Sequence, residues 1–126
     1  MTNQFSRSNN QTFDLEERTA VFAESIIDFC REAKGDLISD KIVSQLVRSG
    51  TSIGANYHEA NECNSKKDFV HKLLIAKKEA KETMYWLRMI ARSNPDKKEK
   101  TRLFWQEAKE FVLIFSSAIK NSGRNK

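Results

Sequence analysis

The chain has 126 residues, enough for one domain to bury a core without disulfide or metal staples. Its single proline, four glycines and 31% charged residues exclude a turn-rich β architecture, and two cysteines outside any C-x-x-C pair exclude a disulfide framework and point to a reducing cytoplasm. The net charge of +5 is split unevenly: positions 1–64 carry 6 basic and 10 acidic residues and positions 65–126 carry 16 and 7, which points toward an acidic partner, nucleic acid being the commonest, with solubility as the other use for such charge.

Positions 1–13 are polar with no apolar run, unlike a secretion signal or a membrane span, and are expected to be a disordered arm. A first helix follows. Leu15, Thr19, Phe22, Ile26, Phe29 and Ala33 recur at steps of 3 and 4 residues and make one helical face, with Asp14 as an N-cap and Gly35 as a stop. The same stepping at Ile42, Leu46, Ser49, Ile53, Asn56 and Ala60 predicts a second helix from about Ser39 to Glu62. Ser65 can cap a third, whose face is Phe69, Leu73, Ala76, Ala80, Thr83 or Met84, Leu87 and Ile90, and Asn94-Pro95-Asp96 ends it. A fourth face runs through Phe104, Ala108, Phe111, Phe115 and Ala118. Four helices with short connections predict an all-α fold, an antiparallel up-down-up-down bundle over 14–121, followed by a disordered basic tail at 122–126.

The bundle leaves apolar surface over. Ile75, Trp86 and Met89 line up beside Glu79 and Glu82 on the third helix, and the fourth adds Leu103, Trp105, Val112, Ile114 and Ile119. Self-association is the economical use for such lines, with Ile75, Glu79, Glu82, Trp86 and Trp105 as expected interface residues.

Within the second helix, R-S-G-T-S-I-G-A-N-Y-H-E-A at positions 48–60 invites a catalytic reading. Gly50 and Gly54 lack the Lys-Ser/Thr of a phosphate-binding loop and the preceding strand of a dinucleotide fingerprint, whereas small residues four apart let two helices approach closely. His58-Glu59 lacks the second histidine of H-E-x-x-H, since the sequence runs H-E-A-N-E. A metal-dependent enzyme would have to use His58, Glu59, Glu62 and His71, and two histidines fall short of the paired Glu-x-x-His motifs of di-iron bundles. Asp68-x-x-His71 has the spacing, but a carboxylate in a first helical turn is equally explained by the helix dipole. Cys30 and Cys63 have no pattern pairing either with a histidine. No cofactor, metal or small-molecule substrate is therefore expected. Ser49 and Asn56 are expected on the core face, needing hydrogen-bond partners and setting register between helices. Arg48 and Glu59, 11 residues apart and nearly eclipsed, are expected to form ion pairs within the bundle or between subunits.

The third helix carries the one-sign signal. Lys66, Lys67, Lys77, Lys78, Lys81, Arg88 and Arg92 fall within about 120° of arc along roughly 40 Å of helix, interleaved with Val70, Leu74 and Tyr85 and apart from Asp68, Glu79 and Glu82. Such a stripe suits a phosphate backbone and reads no base sequence. The competing reading is a solvated face balancing the acidic first half of a neighbouring subunit; a membrane surface is disfavoured because no Trp or Phe line flanks the stripe.

L-V-R-S-G-T-S-I-G-A-N-Y-H-E-A, followed by S-K-K-D-F-V-H-K-L-L-I-A-K-K-E-A-K-E-T-M-Y-W-L, closely resembles the bacterial four-helix-bundle proteins encoded by intervening sequences within large-subunit ribosomal RNA genes. The resemblance spans about residues 14–120. It rests on Arg48, Ser49, Ser52, Ile53, Ala55, Asn56, Glu59 and Ala60, and on Phe69, Ala76, Glu79 and Glu82, with His58 outside the pattern. It implies an up-down bundle assembling as a homopentamer without known catalytic activity. The architecture is also similar to that of the accessory protein of diversity-generating retroelements, which implies RNA, DNA or a nucleoprotein as partner. The alternative function is a structural assembly module with a protein partner and no nucleic-acid binding.

Overall fold

The computed structural model describes residues 14–33 and 35–124. These form four helices, α1 (Leu15–Ala33), α2 (Leu37–Glu62), α3 (Lys66–Ser93) and α4 (Lys98–Arg124), with a 3-10 turn at Pro95–Lys97 and no strand among the described residues. The expected arm at 1–13 lies outside the described residues, as do Asn125 and Lys126 of the expected tail. Helix α4 itself runs on to Arg124, past the expected boundary at 121.

The helices start and stop for local reasons. α1 begins directly after Asp14, whose carbonyl accepts from the Arg18 N–H at 3.1 Å. It ends ahead of Gly35 without a left-handed glycine cap, since no described glycine has positive φ; Gly35 instead donates its N–H to the Asp40 carboxylate at 2.9 Å. α2 starts two residues earlier than the periodicity predicts because Asp36 is its N-cap, accepting from the Ser39 N–H at 2.8 Å. Ser65 caps α3 by accepting from the Asp68 N–H at 3.1 Å. Pro95 cannot continue α3, and the Asn94 side chain ties the break to the start of α2 by donating to the Ser39 hydroxyl at 3.0 Å.

All six residues of the predicted α1 face are buried, as are Leu46, Ser49, Ile53 and Ala60 on α2, Leu73, Ala76, Ala80, Thr83, Leu87 and Ile90 on α3, and Phe104, Ala108, Phe111 and Phe115 on α4. The helices pack as a bundle around them. Contacts between α1 and α2 run from Cys30 with Val43 to Glu16 with Asn61, and those between α1 and α4 from Glu32 with Lys100 to Arg18 with Glu110, so the chain directions are opposed within each pair.

Side-chain size sets how closely each pair approaches. A Cβ on Gly50 would lie 3.1 Å from Ile26 Cγ2 and one on Gly54 would lie 2.9 Å from Thr19 Oγ1, so both glycines admit α1 against α2. Between α1 and α4 the spacing is filled by rings: Phe22 meets Phe104 and Phe111 edge-on at centroid distances of 5.9 and 5.4 Å. Among the described residues, no helix is long and apolar enough to cross a membrane.

Candidate nucleic-acid interface

The polar residues of α2 divide into two groups. Ser49 is fully buried, its hydroxyl 3.0 Å from that of Thr83 on α3, and each hydroxyl also lies beside a backbone carbonyl of its own helix, Leu46 and Glu79 respectively. Ser49 therefore links two helices. Asn56 does not: its side-chain amide donates to the Ser52 carbonyl one turn earlier at 2.9 Å, so the expected register role falls to Ser49 alone.

Arg48 and Glu59 sit on the same side of α2 and both reach α3. The Arg48 guanidinium lies between Glu79, at 3.2 Å, and Glu82, while Glu59 pairs with Lys72 at 2.6 Å and holds the lysine in its charged form by accepting its hydrogen bond. Glu82 also accepts from the Trp86 indole N–H at 3.0 Å. Of the residues expected at an interface, Glu79, Glu82 and Trp86 thus have partners within the chain. Trp105 is half-buried against the core with the Lys109 ammonium 5.5 Å from its ring centroid, and Ile75 is half-buried.

His58 is exposed, its Nδ1 3.9 Å from a Glu16 carboxylate oxygen, and His71 is exposed on α3. No group of three or more His, Cys, Asp and Glu among the described residues could hold a metal ion. Cys30 is buried, which pushes its thiol up to about 12 and keeps it protonated near neutrality.

The basic stripe is at the surface. Lys66, Lys67, Lys78, Lys81, Arg88 and Arg92 are exposed and Lys77 is half-buried. Among the described residues, no carboxylate is within ion-pair distance of Lys67, Lys77, Lys78, Lys81, Arg88 or Arg92. On α3 itself, Glu79 and Glu82 are engaged by Arg48 on the flank that meets α2.

The stripe continues onto α4. α3 meets α2 through Lys72, Glu79, Glu82 and Thr83, which turns the flank bearing Lys77 and Arg88 toward α4. α4 meets α1 through Lys100, Glu107 and Glu110, which turns its opposite flank toward α3. That flank carries Lys98, Lys109 and Lys120, all exposed and 11 residues apart, the spacing that Lys66, Lys77 and Arg88 show on α3. Eleven residues are close to three helical turns, so each series forms a ladder with a rise of about 16 Å per rung. The two ladders flank the α3–α4 seam. The α4 series was absent from the expected site, although its spacing is present in the sequence.

Sequence reading also missed Arg18 and Glu107, which are only 11% and 5% exposed. Arg18 donates to both Glu107 oxygens at 2.7 and 2.8 Å and to Glu110 at 3.0 Å, and its guanidinium lies 5.3 Å from the Phe111 ring centroid. Hydrogen bonding to Glu107 raises the arginine's pKa, so it is charged at every accessible pH. This is a structural clasp between α1 and α4.

No curated protein matches the chain. Among solved structures, a protein of unknown function from the S23 ribosomal protein family of Bacteroides thetaiotaomicron superposes with a TM-score of 0.73 at 36% identity, covering 83% of this chain and 97% of that one. The profile of the family described as 23S rRNA-intervening sequence protein matches residues 11–117, in agreement with the Arg48–Ala60 pattern, and the chain belongs to that family.

Proposed function

We propose that the chain is a non-enzymatic, cytoplasmic protein that binds the phosphate backbone of RNA or DNA through the combined α3–α4 basic face, and that it works as a homo-oligomer, a pentamer by its resemblance. The observation that carries the reading is the set of cations beside one seam, Lys77, Lys81 and Arg88 on α3 with Lys98, Lys109 and Lys120 on α4, without ion-pairing carboxylates among the described residues. Uncompensated like charges repel one another, and a polyanion relieves that repulsion while releasing its own counterions. Lysine and arginine at regular rise contact phosphates without reading bases. Exposed Leu37 and Ile38 at the start of α2 favour a protein contact as well, as the assembly-module reading requires.

The test is binding of a fluorescein-labelled RNA followed by anisotropy. Lys77→Glu, Lys78→Glu and Lys81→Glu together should abolish binding while circular dichroism and light-scattering mass stay unchanged; unaltered affinity in that triple variant rejects the reading. The same scattering measurement gives the assembly, expected near five times the 14.6 kDa chain.

A further inference from the structure

The basic face is not purely charged. Tyr85 stands within it with 54% of its surface exposed, and Leu74, 11 residues earlier on the same line, is 47% exposed. Lys78 and Lys81 precede Tyr85 by 7 and 4 residues, and Arg88 and Arg92 follow it by 3 and 7, so cations stand one and two turns away on both sides of the ring along one face. Residues one turn apart have Cβ atoms about 5–6 Å apart, close enough for a group stacked on the ring and the phosphates next to it to be held together. The ring is steadied from one side by Trp86, which it meets edge-on at a centroid distance of 4.9 Å and an interplanar angle of 78°, leaving a face for another planar group.

A duplex offers this surface only its backbone, because its bases are stacked on one another and a convex helix has no wedge to separate them. The cations around Tyr85 would be served by that backbone, and the tyrosine would remain an exposed ring in a charged field. A single strand supplies both kinds of group together: phosphates for the cations and unstacked bases whose faces pack on an aromatic side chain. We propose that the ligand of this face is single-stranded nucleic acid, with Tyr85 as the platform on which a base stacks. The inference rests on the backbone-binding reading above, and Tyr85 adds the distinction between strand states that lysines alone do not make.

The experiment compares a labelled oligouridylate of about 20 nucleotides, longer than the site of a typical single-strand-binding module, with a labelled RNA duplex of the same length, using the full chain. Tyr85→Ala should weaken the single strand about tenfold and leave the duplex within about twofold, since stacking on an aromatic side chain is lost only where a base is free. Tyr85→Phe should restore the single-strand affinity. Equal weakening of both probes, or no weakening of either, overturns the stacking role; if the triple lysine variant still abolishes binding in that case, the backbone reading stands by itself. Failure of the unaltered chain to bind either probe removes both readings. A fall in assembly mass on Tyr85→Ala overturns the inference in another way, by making the ring a contact with a second copy of the chain.

Discussion

Gly54 shows how one residue decides the spacing of two helices. It costs α2 about 1 kcal/mol of helix propensity relative to alanine, so alanine there would stabilise an isolated helix. In the bundle, the added Cβ would stand 2.9 Å from Thr19 Oγ1 and 3.1 Å from its Cβ, and Thr19 is buried, β-branched and bound through its hydroxyl to the Leu15 carbonyl at 2.9 Å. The neighbour has little room to give. Gly54→Ala is therefore expected to destabilise by about 1–3 kcal/mol in urea unfolding, whereas Gly35→Ala, with nothing within 4 Å of the new Cβ, should not destabilise. A neutral or stabilising Gly54→Ala would show that α1 can move away freely. That Gly50 and Gly54 served packing was legible from their spacing of four within an apolar face. The particular contacts, Ile26 and Thr19, were not, because spacing on one helix does not say what faces it.

At the scale of elements, α1 and α4 are joined by the Arg18–Glu107 pair over an aromatic floor. Breaking a buried ion pair by removing one partner leaves a charge without compensation, whereas replacing both by apolar residues of similar size avoids that penalty. Arg18→Ala is expected to cost about 3 kcal/mol, the lower end of the usual range, because Glu107 and Arg18 keep slight access to water. Arg18→Met with Glu107→Leu should recover most of it in thermal unfolding, and a double variant no better than Arg18→Ala would contradict a clasp role. The pair was not legible: its members are 89 positions apart, and its existence depends on which flank of α4 abuts α1. The four apolar faces were legible because steps of 3 and 4 carry that information within each helix. The start of α2 was missed for a related reason, since Leu37 and Ile38 are exposed and add nothing to the face, so only the Asp36 cap marks the true beginning.

For the whole molecule, the sorting of charge is what the fold converts into a surface. Arg18 and Arg48, from the acidic half of the chain, pair with four carboxylates of the basic half, Glu107 and Glu110 with the first and Glu79 and Glu82 with the second. The cations flanking the α3–α4 seam are left to face solvent together. The α3 stripe was visible on a helical wheel; its union with α4 needed the packing, although Lys98, Lys109 and Lys120 repeat the spacing of Lys66, Lys77 and Arg88. Proposed for this joint face is the binding of a nucleic-acid backbone. It is tested most directly by the salt dependence of single-strand affinity before and after Lys81→Gln, Arg88→Gln and Lys98→Gln, which draw on both helices. Each phosphate contact contributes about 0.7 to the slope of log K against log salt for a single strand, so the triple variant should be shallower by about 2. An unchanged slope, with helicity and assembly mass retained, would contradict the claim.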